Sequence, residues 1–413
     1  MSLRRSAGGG AAALLVALAA AGPAVAASDP GAPEIAAKAA ILVQADTGTV
    51  IYARDASRRR PIASTTKLMT ALLVLERLKL SDTVTTVRYR ATAGESVAGF
   101  APGEHVTVAD LLRALLLPSA NDAAESLAVA VAGSPKAFVA LMNAKAEQLG
   151  LRGTHYANPI GLDSKDNYST AADLVALTLE LRRYDFFVRT TNTQRLTLTS
   201  GAHPRTLTNR NLLLGTDSEV DGVKTGHTSR AGYVLVGSAR RDGVTAISVV
   251  LGEPDERSRD ADSRALLDYG LSRYERVTPV VARRPVASVG IKDQGDDRVA
   301  LIAPTSVRRV IRRGAGRSVT TVVSTPDKVS GPLPVGARLG TVTVREAGKV
   351  VARAPLVTVA AVPRASFFER FRAFLGRTST LIVLLGVVTC SLTIAALRRR
   401  DVGRREAKEA NAQ

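Results

Sequence analysis

The chain has 413 residues, 46% of them hydrophobic and 4% aromatic, and its 56 lysines and arginines against 37 acidic residues give a formal charge of +19. Such a charge invites a nucleic-acid reading, which the scarcity of aromatic side chains and the export signals described next both exclude. The one cysteine, Cys390, rules out an intramolecular disulfide, so the folded parts have to be stable through burial alone.

Residues 1–27 run from Arg4 and Arg5 through the apolar stretch Ala11 to Ala21 to the small-residue site Ala24-Val25-Ala26. This is the three-part layout of a secretory signal, with a mature start near Ala27 or Ser28. Ala39 to Gln44 and Thr49 to Ala53 are β-rich runs joined by Asp46-Thr47-Gly48, a hairpin pattern. Helices are predicted over 64–77, over 107–117 with Thr107 and Asp110 as a capping box, and over 121–132. Ser134-Pro135 opens another helix that ends at Gly150, and Thr170 with Asp173 opens one to about Arg183. Asp173 reads equally as a helix cap and as a loop-ordering carboxylate. Strands follow at Gly232 to Ala239 and Val244 to Leu251, and a helix from Ser258 to Tyr274 closes a first domain at 28–275. Strands at both ends with helices between them predict an α+β domain, an antiparallel sheet with a helical layer.

From 276 to 363, short Val, Ile and Thr runs alternate with Gly and Pro turns and show no helical period, which predicts a small β-sandwich domain. Residues 364–377 put Phe367, Phe371, Phe374 and Leu375 on one face, suited to a helix in a membrane interface or to the first turns of a bent anchor. Thr378 to Leu397 is then uncharged for about 20 residues, enough to cross a hydrocarbon core of roughly 30 Å. A buried core helix reads the same by composition alone. Arg398, Arg399, Arg400, Arg404 and Arg405 follow, so by the positive-inside bias the tail 398–413 is cytoplasmic and the domains lie outside a cell membrane crossed once. Anionic headgroups and wall polymers suit the remaining positive charge, which is concentrated in this tail and in Arg298 to Arg317; much of it reads equally as solvated surface.

Three short motifs carry chemistry. Ser64-Thr65-Thr66-Lys67 opens an apolar helix, so the Lys67 amine is within reach of the Ser64 hydroxyl as a base. A capping serine with a first-turn lysine is also an ordinary helix start. Ser119-Ala120-Asn121 lies in the turn after Pro118, where a hydroxyl and a carboxamide can bridge to that pair and bind a peptide, or simply cap a helix. Lys224-Thr225-Gly226 stands at the start of the strand block: the glycine admits a close backbone, and the other two offer a charge and a hydroxyl to a carboxylate. His105, His155, His203 and His227 have no ligand spacing, so neither a metal nor a cofactor is expected.

Ser-x-x-Lys, Ser-x-Asn and Lys-Thr-Gly in this order are the motif set of penicillin-binding proteins and class A β-lactamases. The chain closely resembles the low-molecular-mass penicillin-binding proteins, the D-alanyl-D-alanine carboxypeptidases of serine peptidase family S11. Asp221-Gly-Val-Lys-Thr-Gly-His-Thr-Ser-Arg-Ala-Gly-Tyr233, Asn158-Pro-Ile-Gly-Leu-Asp163, Tyr168-Ser-Thr-Ala-Ala-Asp173 and Asn209-Arg-Asn-Leu212 carry the likeness. Gly331-Pro-Leu-Pro-Val-Gly-Ala-Arg-Leu-Gly340 and Ala354-Pro-Leu extend it to the β-sandwich.

The resemblance implies that Ser64 attacks the penultimate D-alanine carbonyl of a peptidoglycan stem peptide, with Lys67 as base, its pKa lowered by burial beside Lys224. It implies Ser119 as proton relay, Asn121 on the substrate amide, and the Ser64 and His227 N–H groups as oxyanion hole. Lys224, Thr225 and Arg210 would hold the terminal carboxylate beside Gly226. β-Lactams would acylate the same serine. Ile160 departs from the pattern, since many relatives have histidine there; the change leaves acylation alone and bears on deacylation. A D,D-endopeptidase would use the same residues. A β-lactamase would need a carboxylate base, and no Glu-x-x-Leu-Asn-like segment follows the helical block. A non-catalytic wall-binding protein or β-lactam sensor is the alternative from outside enzymology.

Overall fold

Every residue of β1 (Ala39–Gln44) is buried, because the strand lies inside a five-stranded antiparallel sheet covered on both faces. Its hairpin partner β2 (Thr49–Arg54) is the sheet edge. The structure is a computed structural model that describes residues 31–375 and 378–410; the expected signal at 1–27 lies outside the described residues.

After β2 the chain leaves the sheet. A 3-10 turn at Ala63–Thr66 leads into α1 (Lys67–Arg77), in which Lys67 through Val74 are all buried. A helix that is apolar around its whole girth belongs at the centre of a helical layer. The strands β3 (Thr83–Thr85) and β4 (His105–Thr107) pair and hold a long loop between them. Next come α2 (Val108–Leu116), whose first turn is capped by the Thr107 hydroxyl accepting from Asp110 N at 3.3 Å, and α3 (Asn121–Ala132). Gly133, at φ +75°, ends α3 in the left-handed conformation that favours glycine. The helix α4 (Pro135–Gln148) starts on the Ser134 hydroxyl, which accepts from Ala137 N at 3.2 Å.

In α5 (Ala171–Leu181) the Thr170 hydroxyl caps Asp173 N at 3.0 Å. The Asp173 carboxylate instead accepts from Gly153 N at 2.9 Å and Thr154 Oγ1 at 2.7 Å, so this residue both closes a cap and orders a loop. The short elements α6 (Asp185–Thr191), β5 (Arg195–Thr197), β6 (Thr206–Thr208) and α7 (Leu213–Thr216) lead back to the sheet. There β7 (Val220–Thr228), β8 (Gly232–Arg241) and β9 (Val244–Glu253) complete the order β2-β1-β9-β8-β7. Finally α8 (Glu256–Arg273), capped by the Asp255 carboxylate accepting from Ser258 N at 2.8 Å, starts two residues before the predicted Ser258.

The sheet has a core on each face. Ile41, Val43, Val234, Val236, Ile247 and Val249 pack against the helical layer around α1, α2, α3 and α5. Leu42, Leu235 and Val250 point the other way, onto Leu266, Leu267 and Leu271 of α8. Neighbouring strand residues thus face opposite cores, which explains why these strands read as continuous apolar runs rather than as an alternation.

By its contacts the chain forms two units, Met1–Arg276 with Val310–Arg313, and Val277–Arg309 with Gly314–Gln413. From Tyr274 onward the chain is β-rich. The strands β10 (Tyr274–Val280), β11 (Pro285–Ile291), β12 (Arg298–Ile302), β13 (Val307–Arg312), β14 (Val319–Ser324), β15 (Lys328–Val329), β16 (Arg338–Glu346) and β17 (Lys349–Thr358) follow one another. Strands β10 and β13 pair, and the other six form one sheet in the order β14-β16-β17-β12-β11-β15. Val289, Leu301, Val342, Val344 and Leu356 are its buried centre. Beyond it α9 (Phe367–Leu375) leaves Phe367 and Phe368 68% and 80% exposed. The helix α10 (Thr378–Ala410) contains Leu381–Arg404, long and apolar enough to cross a membrane and unburied by protein. It runs past the predicted end at 397 and through the arginine cluster.

Candidate active site

Ser64 stands in the 3-10 turn just before α1, preceded by Ala63 at φ +46°. A non-glycine residue in that region stores about 1–3 kcal/mol of strain and persists only where the surroundings impose it. Here the imposing elements are two close backbones. A Cβ on Gly226 would come within 2.9 Å of Ser64 N, and one on Gly161, at φ +90°, within 2.1 Å of Ala63 O. Only glycine lets β7 and the 158–162 loop approach the nucleophile turn from both sides.

Lys67, fully buried, lies with Nζ 3.1 Å from Ser64 Oγ, 2.7 Å from Asn121 Oδ1 and 2.5 Å from the Ile160 carbonyl. Burial lowers its pKa from 10.5 to about 7; Arg210 adds to the lowering, while Glu95 and Asp122 oppose it. The sequence assigned this lowering to burial beside Lys224. Burial is the leading cause, Arg210 is a further cation acting on Lys67, and Lys67 and Lys224 disfavour each other's charge, Lys224 being held well below its usual value chiefly by desolvation. A neutral amine has two N–H bonds and one lone pair. With the N–H bonds directed at Asn121 Oδ1 and Ile160 O, the lone pair is left for the Ser64 hydroxyl proton.

The other predicted residues surround this pair. Lys224 is 1% exposed, in β7, the first strand of the β7, β8 and β9 block, and donates to the Thr225 carbonyl at 2.8 Å. Thr225 and Gly226 follow it on the strand. His227 is exposed, with its ring stacked on Tyr233 at 4.1 Å. Ser119, at φ +68°, is buried, and its Oγ has no hydrogen-bond partner among the described residues. It is close in the chain to the cluster but not bonded into it. Arg210 is exposed, and its backbone N and its Nε donate to the carbonyls of Leu117 and Pro118, each at 3.1 Å. Asn209 and Asn211 fix it there by donating to Thr191 O, Thr193 O and Gly222 O at 3.2, 3.1 and 3.0 Å.

Comparison with known proteins decides the family. A family model described as the S11 peptidase family, D-alanyl-D-alanine carboxypeptidase, matches residues 25–255. The chain belongs to this family of serine peptidases. A model of the C-terminal domain of penicillin-binding protein 5 matches residues 274–364. Among relatives, the D-alanyl-D-alanine carboxypeptidase DacF of Bacillus subtilis is 33% identical over 82% of this chain and 89% of that protein. DacA of Escherichia coli is 32% identical over 83% and 87%. Of solved structures, penicillin-binding protein 5 of Haemophilus influenzae aligns with a TM-score of 0.58 and 29% identity over 80% of this chain and 99% of that one.

Within this D-alanyl-D-alanine carboxypeptidase fold, several contributors escaped sequence reasoning. Ile160 attracted notice for its side chain, yet its carbonyl is what Lys67 uses. The loop that presents it is folded by Asn158, whose Oδ1 accepts from Gly161 N at 2.7 Å and Leu162 N at 3.2 Å. Asp163 ties that loop to the β7–β8 hairpin, accepting from Thr228 Oγ1 at 2.7 Å and Arg230 N at 3.2 Å. Asp122 accepts from the backbone N–H groups of Ala98, Gly99 and Phe100 at 3.0, 2.8 and 3.0 Å and so holds the β3–β4 loop on the N-terminus of α3. Glu95 and Tyr89 in that loop reach Asn121. Asn158 and Asp163 lay in a segment already quoted for its likeness to the family; Glu95 and Tyr89 had no such signal.

Proposed function

We propose that this serine D-alanyl-D-alanine carboxypeptidase removes the terminal D-alanine from peptidoglycan stem peptides through an acyl-enzyme on Ser64. The observation that carries the reading is a buried amine 3.1 Å from a serine hydroxyl, with its pKa at about 7 and its N–H bonds already engaged. Neutral Lys67 takes the Ser64 proton as Oγ forms a bond to the penultimate D-alanine carbonyl carbon. The N–H groups of Ser64 and His227 take the developing oxyanion. Collapse breaks the C–N bond, and the Lys67 proton passes through Ser119 Oγ, which is free to bond in both directions, to the leaving amine. Water then hydrolyses the ester.

Lys224, Thr225 and Arg210 hold the D-alanine carboxylate, whose charge restores the Lys224 cation that burial disfavours. Asn121 holds the substrate amide. A β-lactam offers a carbonyl and a carboxylate in similar places and acylates Ser64. In this reading 1–27 is a signal, 28–275 the extracytoplasmic catalytic domain, 276–363 a β domain, 378–397 a membrane anchor preceded by an amphipathic linker, and 398–413 a cytoplasmic tail. The full chain in detergent, given a peptide ending in D-Ala-D-Ala, is expected to release one free D-alanine per peptide. Release of none from folded protein would contradict the assignment.

A further inference from the structure

Asn121 faces two partners with opposite demands. Its Oδ1 accepts from Lys67 Nζ at 2.7 Å, and its Nδ2 donates to Glu95 Oε2 at 2.8 Å and to Tyr89 Oη at 3.3 Å. The Tyr89 hydroxyl donates to the same Glu95 oxygen. The other oxygen, Oε1, accepts from Thr92 N at 3.2 Å and Thr92 Oγ1 at 2.6 Å. Partial burial works against the charge on Glu95, but these hydrogen bonds outweigh it and hold the carboxyl down to about 2. The backbone around it is pinned to the site: Asn121 N donates to Ser96 O at 2.7 Å, and the Asp122 carboxylate grips the next residues of the loop.

A carboxamide is nearly symmetric in shape, so its orientation is chosen by its partners. A charged Lys67 would choose for itself, because an ammonium can only donate. The working base is the neutral amine, which has a lone pair and can accept. Without a second partner, Asn121 could then turn its NH2 towards Lys67 and occupy the electrons needed for the Ser64 proton. A carboxylate on the far side forbids that turn, because it accepts only from Nδ2.

We propose, resting on the function above, that Glu95 is a positioning residue: it locks the Asn121 carboxamide with oxygen towards Lys67, and it sets a negative charge beside the amine. The consequences are separable. Orientation governs how fast neutral Lys67 acts. Charge governs the pH at which Lys67 becomes neutral, since Glu95 and Asp122 favour the charged amine, while Arg210 and burial disfavour it and Lys224 is the other buried cation beside it.

The test is the pH profile of acylation by benzylpenicillin for the full-length protein, Glu95→Ala and Glu95→Gln, with thermal unfolding alongside. Wild type is expected to rise to a plateau along an acidic limb set by Lys67. In E95A the plateau falls about ten-fold, the scale of one charge-assisted hydrogen bond, and the limb moves to lower pH because a stabiliser of the ammonium is gone. Glutamine keeps an acceptor oxygen for Asn121 but no charge, so E95Q recovers most of the plateau while its limb stays displaced with that of E95A. If wild type shows the limb and both variants lower only the melting temperature, Glu95 merely closes its turn on Thr92 and the proposal is overturned. A wild-type protein that is not acylated at all overturns the function on which it rests.

Discussion

Replacing Lys67 with methionine is expected to slow acylation by benzylpenicillin by about 10²–10⁴-fold, the usual contribution of a positioned general base, and to abolish the acidic limb of the pH profile. The sign follows from the direction of the shift. The Lys67 pKa falls from 10.5 to about 7, so the amine becomes the competent neutral base as pH rises through neutrality. Wild-type acylation therefore climbs through that region, and a side chain that cannot titrate gives a low, flat line. Methionine suits the experiment because the whole side chain of Lys67 is buried among α1 neighbours that include Leu68, Met69 and Ala71. Removing an amine whose charged form is disfavoured by burial exchanges a polar group for an apolar one of similar reach. The exchange also leaves Asn121 Oδ1 and Ile160 O without their donor, at about 1–3 kcal/mol each, so the melting curve of the variant is recorded and rates are compared where both proteins are folded. An unchanged rate constant would assign the base to another group.

The second large effect is expected at Gly161, which contacts no substrate group in the proposed mechanism. A methyl added there would lie 2.1 Å from Ala63 O and 2.6 Å from Ala63 C, both backbone atoms, at φ +90° where an alanine is already strained. No side-chain rotation relieves such a contact. The loop, the nucleophile turn or both must move, taking with them the Ile160 carbonyl that orients Lys67 and the Ser64 N–H proposed for the oxyanion. A displacement of about 1 Å in a catalytic group can cost about 10²-fold, so Gly161→Ala is expected to lose at least that in acylation rate while keeping its circular dichroism. Retention of full activity would show that the turn is not held in place by this contact.

What could be read in the sequence was what lies close together in it. Ser64 and Lys67 are three apart, the Thr107 and Ser134 caps sit beside the helices they open, and β1, β8 and β9 are apolar runs bounded by turns. The structure brings the three motif segments together, with Asn121 on Lys67 and Gly226 on the Ser64 turn. Strands of three residues, such as β3 and β5, are too short to show a period and went unread. Ile160 drew attention through a side chain that the proposed chemistry does not use, because a backbone carbonyl carries no mark in a sequence. Glu95 sits 26 residues from Asn121 in a loop with no motif, and the grip of Asp122 on that loop, with the bond from Asn121 N to Ser96 O, brings the two together. The origin of the Lys67 shift was partly legible: burial follows from an apolar helix and Lys224 is in a quoted motif, whereas the added effect of Arg210 is a matter of packing.

Every step of the proposed reaction runs through Ser64 as the nucleophile. Full-length protein treated with benzylpenicillin, measured by intact mass and then by peptide mapping, is predicted to carry a single penicilloyl group on the peptide containing Ser64, and Ser64→Ala is predicted to carry none. An adduct on any other residue, or folded wild-type protein that gains no mass, would contradict it.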